Sequence, residues 1–386
     1  LRRIPFTTKA DFSDPADPAR ARAFVLQPTE EAIRDALPAR RRAAVLLRAL
    51  RGGKTGLRAA LGREYRPALL TFTTGRSAAP VPFAYAGPDL EILRAAGGRL
   101  MEILGISPEG GNGIDLFPYA PHLAFWQTVF AGFEASLLLF HTGGGKAMGT
   151  DGIVEAVRKM RPALCMGIPG YVTHVLRACE GAKTDLSALK CIVLGGDAAP
   201  AGLREKMREI ARRCGAQDPK VLSVYGFTEA RICWAECPAP EPSGFHLYPD
   251  LGYVEIVDPE SGEPVGEGQT GEIVYSSTAG RGSCVLRYRT GDLAVGGIRR
   301  DPCPHCGRTT PRLARIQRWS CTMIWKRAGT RSTSYIRRSA RRLLTPSTPR
   351  RISGFWNFSG SPASYTIVGT PARDAARRSI PSSPGM

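Results

Sequence analysis

Two short clusters hold the side chains best suited to chemistry: Tyr225-Gly226-Phe227-Thr228-Glu229 and, further along, Arg287-Tyr288-Arg289-Thr290-Gly291-Asp292. Tyr225 offers a flat ring for a purine, Thr228 a hydroxyl for phosphate oxygens, and Glu229 a hard carboxylate for the Mg2+ that accompanies ATP. In the second cluster Asp292 follows a turn glycine, where a fixed carboxylate can accept both hydroxyls of a ribose. The chemistry implied is that of a bound nucleotide and its phosphates.

Such residues need a rigid frame. The apolar run Val221-Leu222-Ser223-Val224 reads as a buried strand that delivers Tyr225 to a tight turn, and ligands of parallel α/β sheets gather at such strand ends. Strand-like runs at Ala135 to Phe140, Cys191 to Leu194 and Val221 to Tyr225 alternate with helix-like ones at Asp89 to Leu104, Gly152 to Met160, Tyr171 to Cys179 and Ala201 to Cys214. That alternation predicts a layered α/β domain. Leu251 to Val257 and Gly271 to Ser276, joined by the turn-rich Asp258-Pro259-Glu260-Ser261-Gly262, predict a hairpin of a smaller β region. No internal repeat is visible.

The two clusters, in this order, resemble the YGxTE and RYRTGD-type motifs of the acyl-adenylate-forming superfamily, and within it of the phenylacetate-CoA ligase-like branch. The resemblance runs from about Ile4 to about Ile316. It takes in Leu1 to Phe12 as the lead-in segment and Ile168-Pro169-Gly170-Tyr171 at the place of a threonine-proline-serine-tyrosine turn. It implies a reaction of a carboxylate with ATP to give an acyl-adenylate and pyrophosphate, followed by capture by coenzyme A. Thr228, Glu229 and Arg289 then form the catalytic group. An enzyme of the same superfamily with another acceptor, a carrier protein, an amine or a cofactor, fits the same motifs.

The resemblance also assigns binding roles. The phosphate loop is Thr71-Phe72-Thr73-Thr74-Gly75-Arg76, where Thr71, Thr73, Thr74 and Gly75 cradle the triphosphate and Arg76 replaces the usual lysine. A Ser-Gly pair that normally precedes it is absent. Gly195, Gly196 and Asp197, after the strand-like Cys191-Ile192-Val193, correspond to the loop that lies against adenine, although a strand–Gly-Gly–helix connection is by itself an ordinary βα loop. They join Tyr225, Gly226 and Asp292 as nucleotide-binding residues. The acyl group belongs between the phosphate loop and the YGxTE strand, so Phe117 to Trp126 is expected to wall its pocket, with Tyr119, His122 and Phe125 as contacts that favour an aromatic acid. The same rings could equally be core, and His122 reads equally as structural. By contrast, His141-Thr142-Gly143-Gly144-Gly145-Lys146 is no P-loop, because Ala147 stands where a Ser or Thr should hold magnesium.

Cysteine supplies a second constellation. There are ten in the chain, and Cys303-Pro304-His305-Cys306-Gly307-Arg308 is a knuckle of metal-binding type. Some members of the resembled branch bind a structural Zn2+ through a Cys after the first motif, a His in the next loop and a CxxC after the second. Cys237, His246, Cys303 and Cys306 occupy those places, with Cys233 and His305 as substitutes; reduced, unligated cysteines are the alternative.

The net charge of +19 raises a nucleic-acid or polyanion-binding reading, but from Gln317 to Met386 there are thirteen Lys or Arg and one acid, Asp374, so the excess is concentrated in that tail. No apolar run approaches the roughly 18 residues of a membrane span. A cytoplasmic enzyme with no membrane partner is expected, and the oligomeric state stays open, a homodimer included. The expected division is a helical lead-in at 1–70, an AMP-binding core at 71–316 and a basic tail at 317–386, where the family's C-terminal domain would be missing or disordered. The chain begins at Leu1, inside a segment the family normally precedes with more sequence, and so reads as truncated. Back-translating Lys326 to Tyr335 with GC-rich codons and reading two bases along gives TGGNAVNVI, which resembles the family's post-hinge segment and suggests a frameshift near Ile316.

Overall fold

The computed structural model describes residues 3–318, except 14–16, 18–19, 28–42, 44–46, 48–49, 54, 57–58, 60–61, 63 and 74–79. Thr74, Gly75 and Arg76 and nearly all of the 317–386 tail, with the back-translated segment, therefore lie outside the described residues.

The centre is a six-stranded sheet with strand order β4-β3-β5-β6-β7-β8, formed by β3 (Gly113–Asp115), β4 (Leu139–His141), β5 (Leu164–Gly167), β6 (Cys191–Leu194), β7 (Lys220–Gly226) and β8 (Cys233–Ala235). The first five are parallel, and β8 turns back antiparallel to β7 with Tyr225 opposite Trp234. Side chains alternate across each strand, so one strand feeds two cores. Cys165, Ile192 and Leu194 face a cluster with Ile153, Val157, Val172, Leu176, Met207 and Ile210. Leu164, Met166 and Val193 face the other cluster with Leu93, Leu100, Leu123 and Ala131. The helices supplying those residues are α1 (Gly87–Leu104), α2 (Leu123–Glu134), α3 (Gly149–Met160), α4 (Pro169–Gly181) and α5 (Ala201–Arg213).

A short ribbon, β1 (Leu69–Phe72) with β2 (Pro82–Tyr85), flanks this layer. A second sheet has strand order β10-β11-β12-β13-β9 and consists of β9 (Phe245–His246), β10 (Gly252–Val257), β11 (Gly271–Ser277), β12 (Tyr288–Arg299) and β13 (Arg312–Arg318). The expected hairpin is β10–β11, paired antiparallel from Gly252↔Ser277 to Val257↔Glu272. The layered α/β reading holds.

One expectation needs correction. The strand predicted over Ala135 to Phe140 starts only at Leu139, because helix α2 runs to Glu134 and Ala135 caps it, donating its N–H to the carbonyl of Ala131. The apolar residues of that run are divided between a helix end, a turn and a strand. Period alone cannot separate these in a short hydrophobic stretch.

Candidate functional site

Strand β7 carries Tyr225 and Gly226 to the carboxyl edge of the parallel sheet. Two tight turns follow, Ala230 N–H to the Phe227 carbonyl and Arg231 N–H to the Thr228 carbonyl, and they hold Thr228 and Glu229 just beyond the strand. Arg231 anchors the turn in a left-handed conformation (φ 61°), its guanidinium buried against Asp89 of α1. Asp89 also accepts the backbone N–H groups of Ala86, Arg281 and Gly282, so the acid of this buried pair is well satisfied, whereas Nε of Arg231 is buried without a hydrogen-bond partner. Gly226 has no room for a side chain, since a Cβ would lie 2.5 Å from Cys233 Sγ.

Strand β12 brings the second motif alongside. The two motifs exchange hydrogen bonds: the Tyr225 hydroxyl donates to Asp292 Oδ2 at 3.0 Å, and the Tyr288 hydroxyl donates to Glu229 Oε1 at 2.7 Å. Each tyrosine thus serves the acid of the other motif. Burial pushes both carboxylates above the ordinary acid range, Glu229 despite its bond from Tyr288 and Asp292 despite Tyr225 and the charge of Arg318. Burial likewise drives both phenols upward, with the neighbouring carboxylates adding to it, so each remains a proton donor. The Tyr225 ring stacks on Trp234 at 6.0 Å and is flanked by Phe227 and Phe245.

Arg289 is not in this group. Its guanidinium pairs with Glu272, donates to the Pro259 carbonyl at 2.6 Å and lies over the ring of Phe6. Gly195 and Gly196 close the β6–α5 connection; a Cβ on Gly195 would meet Val224 of β7 at 2.7 Å, and Gly196 adopts φ 80°. Asp197 is exposed and accepts the Ala198 N–H. Of the expected phosphate loop the described residues include the stem, where the Thr73 N–H donates to the Val81 carbonyl and the Val81 N–H donates to Thr73 Oγ1. The Thr71 hydroxyl is fully buried 3.4 Å from that of Tyr85, inside the ribbon.

The aromatic stretch spans the N-terminus of α2. Nδ1 of His122 lies 2.8 Å from the Phe72 carbonyl, an acceptor only, so it donates and ties the helix start to β1. Phe125 is buried with Tyr119 edge-on at 5.1 Å, while Tyr119 itself is largely exposed. The sequence reading missed what packs behind them. Asp115, fully buried at the end of β3, accepts from His141 Nδ1, the Thr128 hydroxyl and the Phe117 N–H, and His141 lies 5.6 Å from Phe125. An acid closing the apolar Gly113-Ile114 run was the available signal, because a buried carboxylate needs such partners.

The cysteine constellation converges. One ligand atom from each of Cys237, His246, Cys303 and Cys306 lies within 4.8 Å of every other. Cys237 and Cys303 sulfurs are 3.7 Å apart and Cys306 Sγ is 3.6 Å from His246 Nε2. Tetrahedral coordination with the usual zinc bond lengths requires about 3.8 Å between sulfurs and about 3.6 Å between sulfur and nitrogen. Cys233 instead sits in β8 opposite Gly226, and His305 is exposed. Burial pushes the Cys237 thiol up to about 12; for Cys303 burial acts in the same direction, but backbone N–H groups of Cys306 and His305 outweigh it and bring the thiol down to about 7. Burial, then Arg308 and Arg312, lowers His246 to about 4, keeping it neutral as a ligand must be.

The chain is similar to several known proteins. The AMP-binding enzyme family model matches residues 120–282. A phenylacetate-coenzyme A ligase of Thermus thermophilus is 26% identical over 258 residues, covering 63% of this chain and 53% of that protein. The Escherichia coli protein of the same name is 28% identical over 184 residues, covering 45% of this chain and 38% of its own length. The chain thus spans about half the length, or less, of these relatives. A solved 2-hydroxyisobutyryl-CoA ligase, bound to its acyl-AMP and CoA, has the same fold at TM-score 0.62 and 21% identity, covering 82% of this chain and 59% of the other. Among the described residues no helix is long and apolar enough to cross a membrane.

Proposed function

We propose that the chain is an acyl-adenylate-forming enzyme of the phenylacetate-CoA ligase-like branch, which activates a carboxylic acid with ATP and passes the acyl group to coenzyme A; the AMP-binding enzyme match and the likeness to phenylacetate-coenzyme A ligases support this. One observation carries this reading: two motifs about sixty residues apart meet at the sheet edge, where Tyr225 reaches Asp292 and Tyr288 reaches Glu229. On this reading the junction would offer the Tyr225 ring to a purine, Asp292 to a ribose and Glu229 to a cation.

In this reading Asp292 accepts the ribose hydroxyls, the Gly195–Asp197 loop borders adenine, and Thr228 and the loop from Thr73 to Gly75 contact phosphates, whereas the expected contact from Thr71 is lost because its hydroxyl is sealed in the ribbon against Tyr85. Glu229 would hold the Mg2+ that accompanies ATP, which would supply neutralisation of phosphate charge; one or two carboxylates plus substrate phosphates are a donor set this ion commonly takes. The residues act by holding the carboxylate and the α-phosphorus in line and by stabilising charge on the phosphate oxygens. Tyr119, His122 and Phe125 suit an aromatic acid, with His141 behind them. Arg289 supports the strand through Glu272. The domain division is a lead-in at 1–70, a core at 71–316 and a tail at 317–386, in a cytoplasmic enzyme.

Cys237, His246, Cys303 and Cys306 would hold one structural Zn2+. A closed four-ligand set leaves no open position for substrate, so the metal would pin β9 and the β12–β13 turn beside β8. The test of the function is pyrophosphate release across a panel of aryl and alkyl carboxylates. Release that depends on an aryl acid supports the reading, whereas no ATP binding would sink it.

A further inference from the structure

We propose that Tyr288 is a positioning residue for Glu229, which sets how well the site takes ATP together with its divalent cation. The inference rests on the reading of Glu229 as the acid beside magnesium. A glutamate side chain has several rotatable bonds, and a carboxylate meant for Mg2+ gains from being held in one orientation, because this ion tolerates little departure from octahedral geometry. The bond from the Tyr288 hydroxyl, at 2.7 Å, supplies that restraint to Oε1. Only one oxygen is used by it, and a carboxylate has further acceptor capacity.

The tyrosine is itself immobile. Its ring is buried, 5.7 Å from Phe12 and 6.3 Å from Phe227. Its backbone is clamped from the other side by the N-terminal segment: Thr7 N–H donates to the Arg287 carbonyl, and Arg289 N–H donates to the Thr7 carbonyl. The hydroxyl is therefore presented from a fixed point on β12 to a side chain on the β7 turn. A ring serving only to fill space would need no hydroxyl, and a phenylalanine would avoid burying one. Tyr288 is thus where the second sheet controls an acid of the first.

The test is Tyr288→Phe, which keeps the ring and removes the donor, with ATP affinity measured by calorimetry in excess Mg2+ and again in EDTA. The wild type should bind ATP more tightly with Mg2+. In Tyr288→Phe the affinity with Mg2+ should fall about tenfold while the EDTA value stays within about twofold, as expected for loss of one hydrogen bond to a charged group. In Glu229→Gln the gain from Mg2+ should collapse, and adding Tyr288→Phe should change it no further, since the tyrosine acts through that acid. If Tyr288→Phe keeps the full Mg2+ gain, or loses affinity equally in both buffers, the proposal is overturned while the nucleotide site stands. If the wild type binds no ATP in either buffer, the functional reading fails and the proposal with it. Should Tyr288→Phe not fold, Glu229→Asp, whose shorter side chain withdraws the carboxylate from the Tyr288 hydroxyl, is read by the same ratio: a reduced Mg2+ gain at an unchanged EDTA value supports positioning, and a full Mg2+ gain overturns it.

Discussion

The nucleotide-side cluster and the thiol cluster are built from the same stretch of chain, between β7 and β13, and are held together in opposite ways. On the nucleotide side two acids each receive one hydrogen bond from a tyrosine of the other motif, and burial makes both reluctant to ionise. At the thiol cluster four donors point at one another, and their own backbone favours the ionised form of Cys303. The first arrangement leaves acceptor capacity on both carboxylates, which on the proposed reading a nucleotide and its cation would use. The second has the donor set to close on a single proposed ion, which would leave it nothing further to bind. On the proposed reading the open cluster would act on ligands and the closed one on the fold.

The largest expected effect breaks the closed cluster. Replacing Cys303 with Ser should lower bound zinc from about one equivalent to below about a tenth, and should loosen the loop from Cys237 to His246, because structural zinc contributes directly to folding. Elemental analysis and proteolysis of that loop check it. Less than about a tenth of an equivalent of any metal in the wild type, purified without chelator, would remove the closed half of the comparison. Because Glu236, next to Cys237, accepts the Ser223 N–H and pairs with Arg204, zinc loss should also be felt weakly at β7.

A smaller effect tests the anchor beneath the open site. Asp89→Asn leaves Arg231 buried without its charge partner and should cost about 3–5 kcal/mol of stability, far more than an exposed pair such as Arg99–Asp250, worth at most about 1 kcal/mol. Denaturant melts of Asp89→Asn and Asp250→Asn give the contrast. Equal losses would show that burial does not govern the Asp89–Arg231 pair.

The smallest effect concerns the acids. Glu229 has a folded pKa raised above its unfolded value, so the folded state binds the extra proton in the window between them. Stability from this group is present below the ordinary glutamate range and is lost as pH rises through the raised value. Glu229→Gln cannot ionise. It should therefore flatten that part of the pH–stability curve and be slightly more stable than wild type at neutral pH, while binding Mg2+-ATP less well. A variant that is both less stable and unchanged in ATP binding would mean that Glu229 is a structural acid.

Local features were legible without coordinates. Period-two and period-3.6 patterns give the β6–loop–α5 unit and the β10–β11 hairpin, since adjacent residues decide them. A CxxC turn with a Cys and a His upstream likewise names a donor set, and the structure brings all four together. Motif order pointed to the same family as the likeness to known proteins, before any distance was known. What sequence left undecided is which side chains face one another between elements. The tyrosine–acid exchange, the Asp115–His141 pair behind Phe125 and the Asp89–Arg231 anchor each join residues on separate elements, and only packing sets those distances. Arg289 shows the reason at its simplest. It adjoins Tyr288 in the motif, but neighbours on a strand point to opposite faces, so Tyr288 turns to Glu229 and Arg289 to Glu272.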